Sequence, residues 1–112
     1  MIVVRNSLTR LFIMKGYTAA CVWPFIFIRS DIDISKRKDI LNHELIHARQ
    51  QKEMLWIFFF IWYAIEYLIK LIRYRDHYKA YRSLSHEKEA YSNNFEPGYL
   101  DKRKVYSWLK YL

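Results

Sequence analysis

Two histidines and a glutamate within five residues carry the densest chemistry in the chain: His43-Glu44-Leu45-Ile46-His47 reads H-E-x-x-H. On an α-helix each residue advances about 100°, so His43 and His47 stand roughly 40° apart, one turn of rise from each other. Imidazoles so placed can reach a single tetrahedral zinc ion, with Glu44 beside them to act on a zinc-bound water. The pattern predicts a helix around the motif: Ser35 is placed to cap it, no Pro or Gly interrupts it, and Ile40, Leu41, Leu45 and Ile46 give it apolar faces. Two His on a polar helix face can also be merely solvated. Here the free motif positions are Leu and Ile, and the flanking Leu41 and Ala48 are uncharged, which favours the metal reading.

The stretch resembles the H-E-x-x-H helix of the zincin metallopeptidases, with Arg49 standing where those proteins usually carry an apolar residue. The resemblance implies a third protein ligand. The H-E-x-x-H-x-x-G-x-x-H form is excluded, because positions 48–54 contain neither Gly nor His. A carboxylate from a later helix, as in gluzincins, is the alternative. Glu87-Lys88-Glu89-Ala90-Tyr91 looks like the E-x-x-A-D segment of membrane-linked gluzincins related to the CAAX-processing and heat-shock membrane proteases. By that resemblance Glu87 is the ligand, Glu89 the alternative, and His86 ranks third. Glu87 and Glu89 lie about 200° apart round a helix, so they cannot both face one metal. Tyr91 takes the place of the family's Asp, so the usual orienting carboxylate is missing.

The elements that must position these residues follow from the surrounding pattern. Residues 1–34 read as strands: Met1 to Val4 is β-branched, Arg10 to Lys15 is a mixed apolar run, and Gly16 marks a turn. Tyr17 to Ile28 is apolar throughout, and Pro24 inside it argues for an edge or irregular strand rather than a helix. In zincins an edge strand beside the catalytic helix binds the substrate backbone. The resemblance therefore makes Phe25, Ile26, Phe27 and Ile28 the candidate substrate-binding strand, with a plain core strand as the competing reading. Arg5, Arg10 and Lys15 before the apolar run admit a signal-peptide reading, which the lack of a small-residue cleavage site disfavours.

After the motif, Met54 to Ile65 is twelve uncharged residues, and the apolar pattern continues past Glu66 and Lys70 to Ile72. That run is short for a membrane span and suits an interfacial helix first, a buried core helix second and a true span, as in an integral membrane protein, third. Glu66 and Lys70 are spaced to pair at i,i+4, while Arg49, Lys52, Arg73 and Arg75 bracket the segment. The expectation is a helix over 54–75 that packs on the core and meets an anionic membrane surface. Lys36-Arg37-Lys38 at the start of the motif helix opposes its dipole and suits the same surface. Arg73 to Arg82 is basic and Tyr-rich, but no nucleic-acid motif accompanies it, so nucleic acid is not the expected partner. His77, Tyr78, Tyr81 and Arg82 are candidates to stabilise an oxyanion. Pro97-Gly98 breaks the chain, and Val105, Trp108, Leu109 and Leu112 fall at i, i+3, i+4 and i+7 of a short docking helix.

The 112 residues amount to one domain with a modest core. They are 53% hydrophobic and 19% aromatic, more apolar surface than such a core hides, so a membrane or a partner should cover part of it. A net charge of +8 favours anionic partners. The lone Cys21 excludes an internal disulfide framework. The expected architecture is α+β and zincin-like: an N-terminal sheet, the motif helix, an aromatic helix and a third helix with a Glu ligand. The expected function is zinc-dependent hydrolysis of a peptide or protein substrate in the cytoplasm or peripheral to a membrane, with Glu44 as general base. The competing readings are a zinc-binding protein that cleaves nothing and a basic membrane-surface or nucleic-acid adaptor.

Overall fold

β-branched and aromatic residues early in the chain form strands, and the sequence after position 37, nearly free of Gly and Pro, forms helices. The computed structural model describes residues 2–5, 13 and 17–112. Their order is β1 (Ile2–Val4), β2 (Ala19–Val22), β3 (Phe25–Ile28), α1 (Lys38–Glu53), α2 (Ile57–Tyr74), α3 (His77–Arg82), α4 (Ser85–Asn93), α5 (Tyr99–Lys102) and a closing 3₁₀ helix (Ser107–Tyr111). The class is α+β, a small three-stranded sheet followed by helices. The strand expected over Arg10 to Lys15 falls largely outside the described residues.

The strand order is β1-β3-β2, with β1 parallel and β2 antiparallel to β3. Phe25–Ile28 is therefore the central strand, which corrects its expected place at a sheet edge. Ile26, Phe27 and Ile28 are all buried. A strand apolar on both faces is best accommodated mid-sheet, where neighbours flank it and layers cover it. Pro24 lies in the turn between β2 and β3, where its missing N–H interrupts no ladder. The edge strand that packs against α1 is β2.

Ser35 does not cap α1. Its N–H and hydroxyl both donate to Asp33 Oδ1, at 3.0 and 2.6 Å, in a turn that precedes the helix. The residue at the helix boundary, Arg37, supplies no side-chain cap and pairs instead with Asp39 in the first turn, at 3.1 Å. At the other end α1 stops without Gly or Pro. Leu55 and Trp56 adopt left-handed φ of 54° and 62°, and Ile57 N–H donates to Leu55 O at 2.6 Å. Such residues cost on the order of 1–3 kcal/mol each. Beside the turn Met54, Phe59 and Trp108 bury together, with Phe60 and Tyr63 packed against them, and this cluster holds α2 bent 111° from α1.

The buried residues of α2 are Phe59 and Glu66. Glu66 accepts Ser85 N–H at 2.7 Å, the Ser85 hydroxyl at 2.6 Å and Trp62 Nε1 at 3.0 Å. One carboxylate thus caps α4, which has no cap of its own at Leu84. The pairing expected between Glu66 and Lys70 does not form, and Lys70 donates to Ser83 O at 3.4 Å. The unpaired N–H groups and dipole of a helix start hold the carboxylate in place of the Lys70 ammonium.

The C-terminal segment is clamped by Arg103. Its two terminal nitrogens donate to Glu53 at 2.9 and 2.8 Å, and it also pairs with Glu89 on α4. Of the four residues expected to form a docking stripe, only Trp108 is buried; Val105, Leu109 and Leu112 are exposed. The segment is a 3₁₀ helix, whose tighter turn takes i+4 and i+7 off the i, i+3 line. Among the described residues no single helix is long and apolar enough to cross a membrane.

Candidate metal centre

Helix α1 presents His43, Glu44 and His47 from adjacent turns, and α4 packs across it to deliver Glu87. Asn42, just before the motif, fixes that crossing. Its Nδ2 lies 3.2, 3.0 and 3.1 Å from the carbonyl oxygens of Asn93, Asn94 and Glu96, where α4 ends and its last carbonyls need donors. Sequence reasoning passed over Asn42. The available signal was a weak helix former inside an otherwise helical stretch.

Three donor atoms converge. Glu87 Oε1 lies 3.0 Å from His47 Nε2 and 3.3 Å from His43 Nε2, and the two imidazole nitrogens are 3.2 Å apart. A tetrahedral cation bound at about 2.0–2.2 Å would set its ligand atoms roughly 3.3–3.5 Å from one another, close to these separations. The three side chains are all buried, and together they could hold a metal ion. Burial alone would raise the Glu87 carboxyl; the His47 charge and hydrogen bonds from both imidazoles hold it far below the usual carboxylate range. Burial lowers His43, and its bond to Glu87 only partly offsets that. For His47 burial also acts downward, but the Glu87 carboxylate prevails and lifts the imidazole to about 9.

A second layer orients these ligands. Tyr63 OH donates to Glu87 Oε2 at 2.9 Å, which leaves Oε1 for the histidines. His47 Nδ1 meets Gln50 Oε1 at 2.8 Å, and Gln50 Nε2 donates to Glu89 Oε1 at 3.0 Å and His86 O at 3.1 Å. Because Gln50 Oε1 only accepts, it selects the tautomer of His47 that keeps Nε2 free for a metal. Glu89 is held by Arg103 and by the Tyr99 hydroxyl at 2.6 Å. It lies away from His43 and His47, on the far side of Gln50. His86 is also elsewhere. Its ring stacks on Trp108 at 4.3 Å between centroids, and its Nε2 lies 3.3 Å from Met54 Sδ.

Glu44 is 6% exposed and lines two neighbouring cavities, a mostly apolar one of about 470 Å³ and a more polar one of about 230 Å³. Burial lifts its carboxyl to about 7, with the nearby His47 acting against the rise. The larger cavity also touches His47, Glu87 and the whole of β2. Arg29 N–H bonds Thr18 O at 2.9 Å, so the two-residue period turns the peptide groups of Ala19, Cys21 and Trp23 away from β3. There Gln51 acts as a surrogate strand, donating to Cys21 O at 2.8 Å and accepting Trp23 N–H at 2.6 Å. Among the described residues, the stretch of this edge that Gln51 leaves open beside the cavity is at Ala19.

Of the proposed oxyanion donors, His77 and Tyr81 line the larger cavity. His77 is held between the Tyr17 and Tyr67 hydroxyls at 3.1 and 2.7 Å, and Tyr81 OH meets Tyr91 OH at 2.9 Å. Tyr78 is exposed, and the Arg82 guanidinium stacks 3.8 Å from the Tyr91 ring centroid. Tyr91, where the resemblance expects Asp, packs its ring 4.4 Å from that of His43 and so confines it by contact rather than by charge. Cys21 lines the cavity rather than sitting in the core, and burial raises its thiol. Comparison with protein-family models, with curated proteins and with solved structures finds no match to this chain.

Proposed function

We propose that the chain is a minimal gluzincin-like zinc metallopeptidase. His43, His47 and Glu87 would hold the metal, and Glu44 would serve as general base. The observation that carries this reading is the buried convergence of two imidazole nitrogens and one carboxylate oxygen beside a cavity that Glu44 also lines. Two imidazoles, one carboxylate and an open fourth position form the donor set of catalytic rather than structural zinc. Zinc so bound supplies Lewis acidity, polarising a scissile carbonyl and making water a nucleophile at neutral pH.

The chain's own groups supply the rest. Glu44 takes the proton from the attacking water and passes it to the departing amine, a role suited to a carboxyl lifted toward neutrality. Tyr63 and Gln50 keep Glu87 and His47 turned to the metal. The substrate backbone pairs with β2 at Ala19, in place of the central β3, and the apolar cavity takes a neighbouring apolar side chain. A zincin-like fold accords with this arrangement: an edge strand runs beside the H-E-x-x-H helix, and a later helix crosses it with a glutamate.

The test is metal content by mass spectrometry for the wild type, His47→Ala, Glu87→Gln and Glu89→Gln, together with cleavage of a broad peptide library. One zinc per chain, lost in His47→Ala and weakened in Glu87→Gln far more than in Glu89→Gln, is expected along with cleavage. A chain that takes up no zinc when it is supplied, or holds zinc and cleaves nothing, overturns the reading.

A further inference from the structure

The outer face of α2 is apolar and uncovered. Ile57, Phe58, Ile61, Trp62, Ile65, Leu68, Ile69 and Ile72 are each between 40% and 77% exposed. At about 100° per residue they share an arc of roughly 140°, opposite the buried Phe59 and half-buried Tyr63. Leu55 and Trp56, exposed in the turn before the helix, extend this face.

The charges bordering that face are mostly basic; the exposed acid beside them, Asp76, is engaged as the cap of α3, accepting Lys79 N–H at 3.1 Å. Between positions 49 and 75 the acids are Glu53 and Glu66. Glu53 is gripped by Arg103 and Glu66 is buried as the cap of α4, so neither is presented outward. Arg49 and Lys52 are exposed on the last turns of α1 before the bend, and Arg73 and Arg75 are exposed at the end of α2. We propose that α2 docks by this face on an anionic lipid bilayer, lying in the headgroup layer rather than crossing it. The inference is independent of the metallopeptidase reading.

Charge decides between occupants. A second copy would bring another +8 against the same cations, whereas anionic headgroups neutralise them. Depth is decided by length and geometry: no single described helix suffices to cross, and α1, which precedes the bend, carries the buried motif. Trp and Phe among the exposed residues suit the boundary between headgroups and acyl chains. Phe60, Tyr63 and Tyr67 on the inner side of the helix line the larger cavity, so docking would hold that cavity close to the lipid surface.

Flotation of the full chain with phosphatidylcholine vesicles, with and without phosphatidylglycerol, tests this. Binding should require the anionic lipid and weaken with salt. Arg73→Ser with Arg75→Ser should reduce it by roughly fivefold per charge. Ile65→Glu with Leu68→Glu should reduce it by more than about tenfold while leaving the thermal melt in place, because these side chains are outside the core. Brominated lipid should quench the wild-type fluorescence, and less so in Trp56→Phe with Trp62→Phe. This second measurement stands even where a Glu variant fails to fold. A wild type that stays off anionic vesicles, shows no quenching, or binds as well with the Glu substitutions overturns the proposal. So does a dimer that buries this face and ignores vesicles.

Discussion

Glu87 and Glu89 are two residues apart on α4 and face opposite partners. Glu87 Oε1 meets His47 at 3.0 Å and His43 at 3.3 Å, while Glu89 is held by Arg103 and by Gln50. The two carboxylates are nevertheless joined. Gln50 accepts from His47 Nδ1–H with one end of its amide and donates to Glu89 with the other, so the ligand set rests on the Arg103 clamp.

Gln50→Leu keeps a similar side-chain size and removes its bonds to His47, Glu89 and His86 O, so His47 loses its tautomer control. Zinc affinity is expected to fall about 10–100-fold. A chelator competition measures it. Gln50→Glu retains an acceptor for His47 and should recover part of the affinity, whereas equal losses in both variants would assign Gln50 to packing alone.

Arg103→Met leaves Glu53 and Glu89 buried without their cation. Their side chains are 7% and 0% exposed, so water cannot replace it. The expected loss is about 3–5 kcal/mol in a denaturant titration. A loss under about 1 kcal/mol, the level of a surface pair, would mean the clamp is open in solution.

Glu44→Gln keeps the shape of the side chain and removes the base. Peptide cleavage should drop by about 10²–10⁴-fold with zinc content unchanged. Loss of zinc in this variant would give Glu44 a structural role.

Removal of zinc should lower the melting temperature, because the folded chain alone gathers the three ligands. At a free metal concentration about 1,000 times Kd, binding contributes about 4 kcal/mol. Differential scanning fluorimetry with chelator, followed by zinc addition, checks this. An unchanged melt would show that the site does not bind the metal when folded.

The H-E-x-x-H spacing by itself determined the pairing of His43 with His47, because helix geometry is local and needs no tertiary partner. The roughly 200° between positions 87 and 89 likewise determined that only one of the two glutamates could join them. Which one was left to the docking of α4, set by Glu66 at its start, Asn42 at its end and Arg103 beside it. Those partners lie between 14 and 52 residues away in sequence, beyond the reach of any local pattern. Strand order was decided in the same way. Phe25–Ile28 reads as apolar in sequence, but whether an apolar strand is central or at an edge depends on which strands pair with it, and here β1 and β2 take both sides.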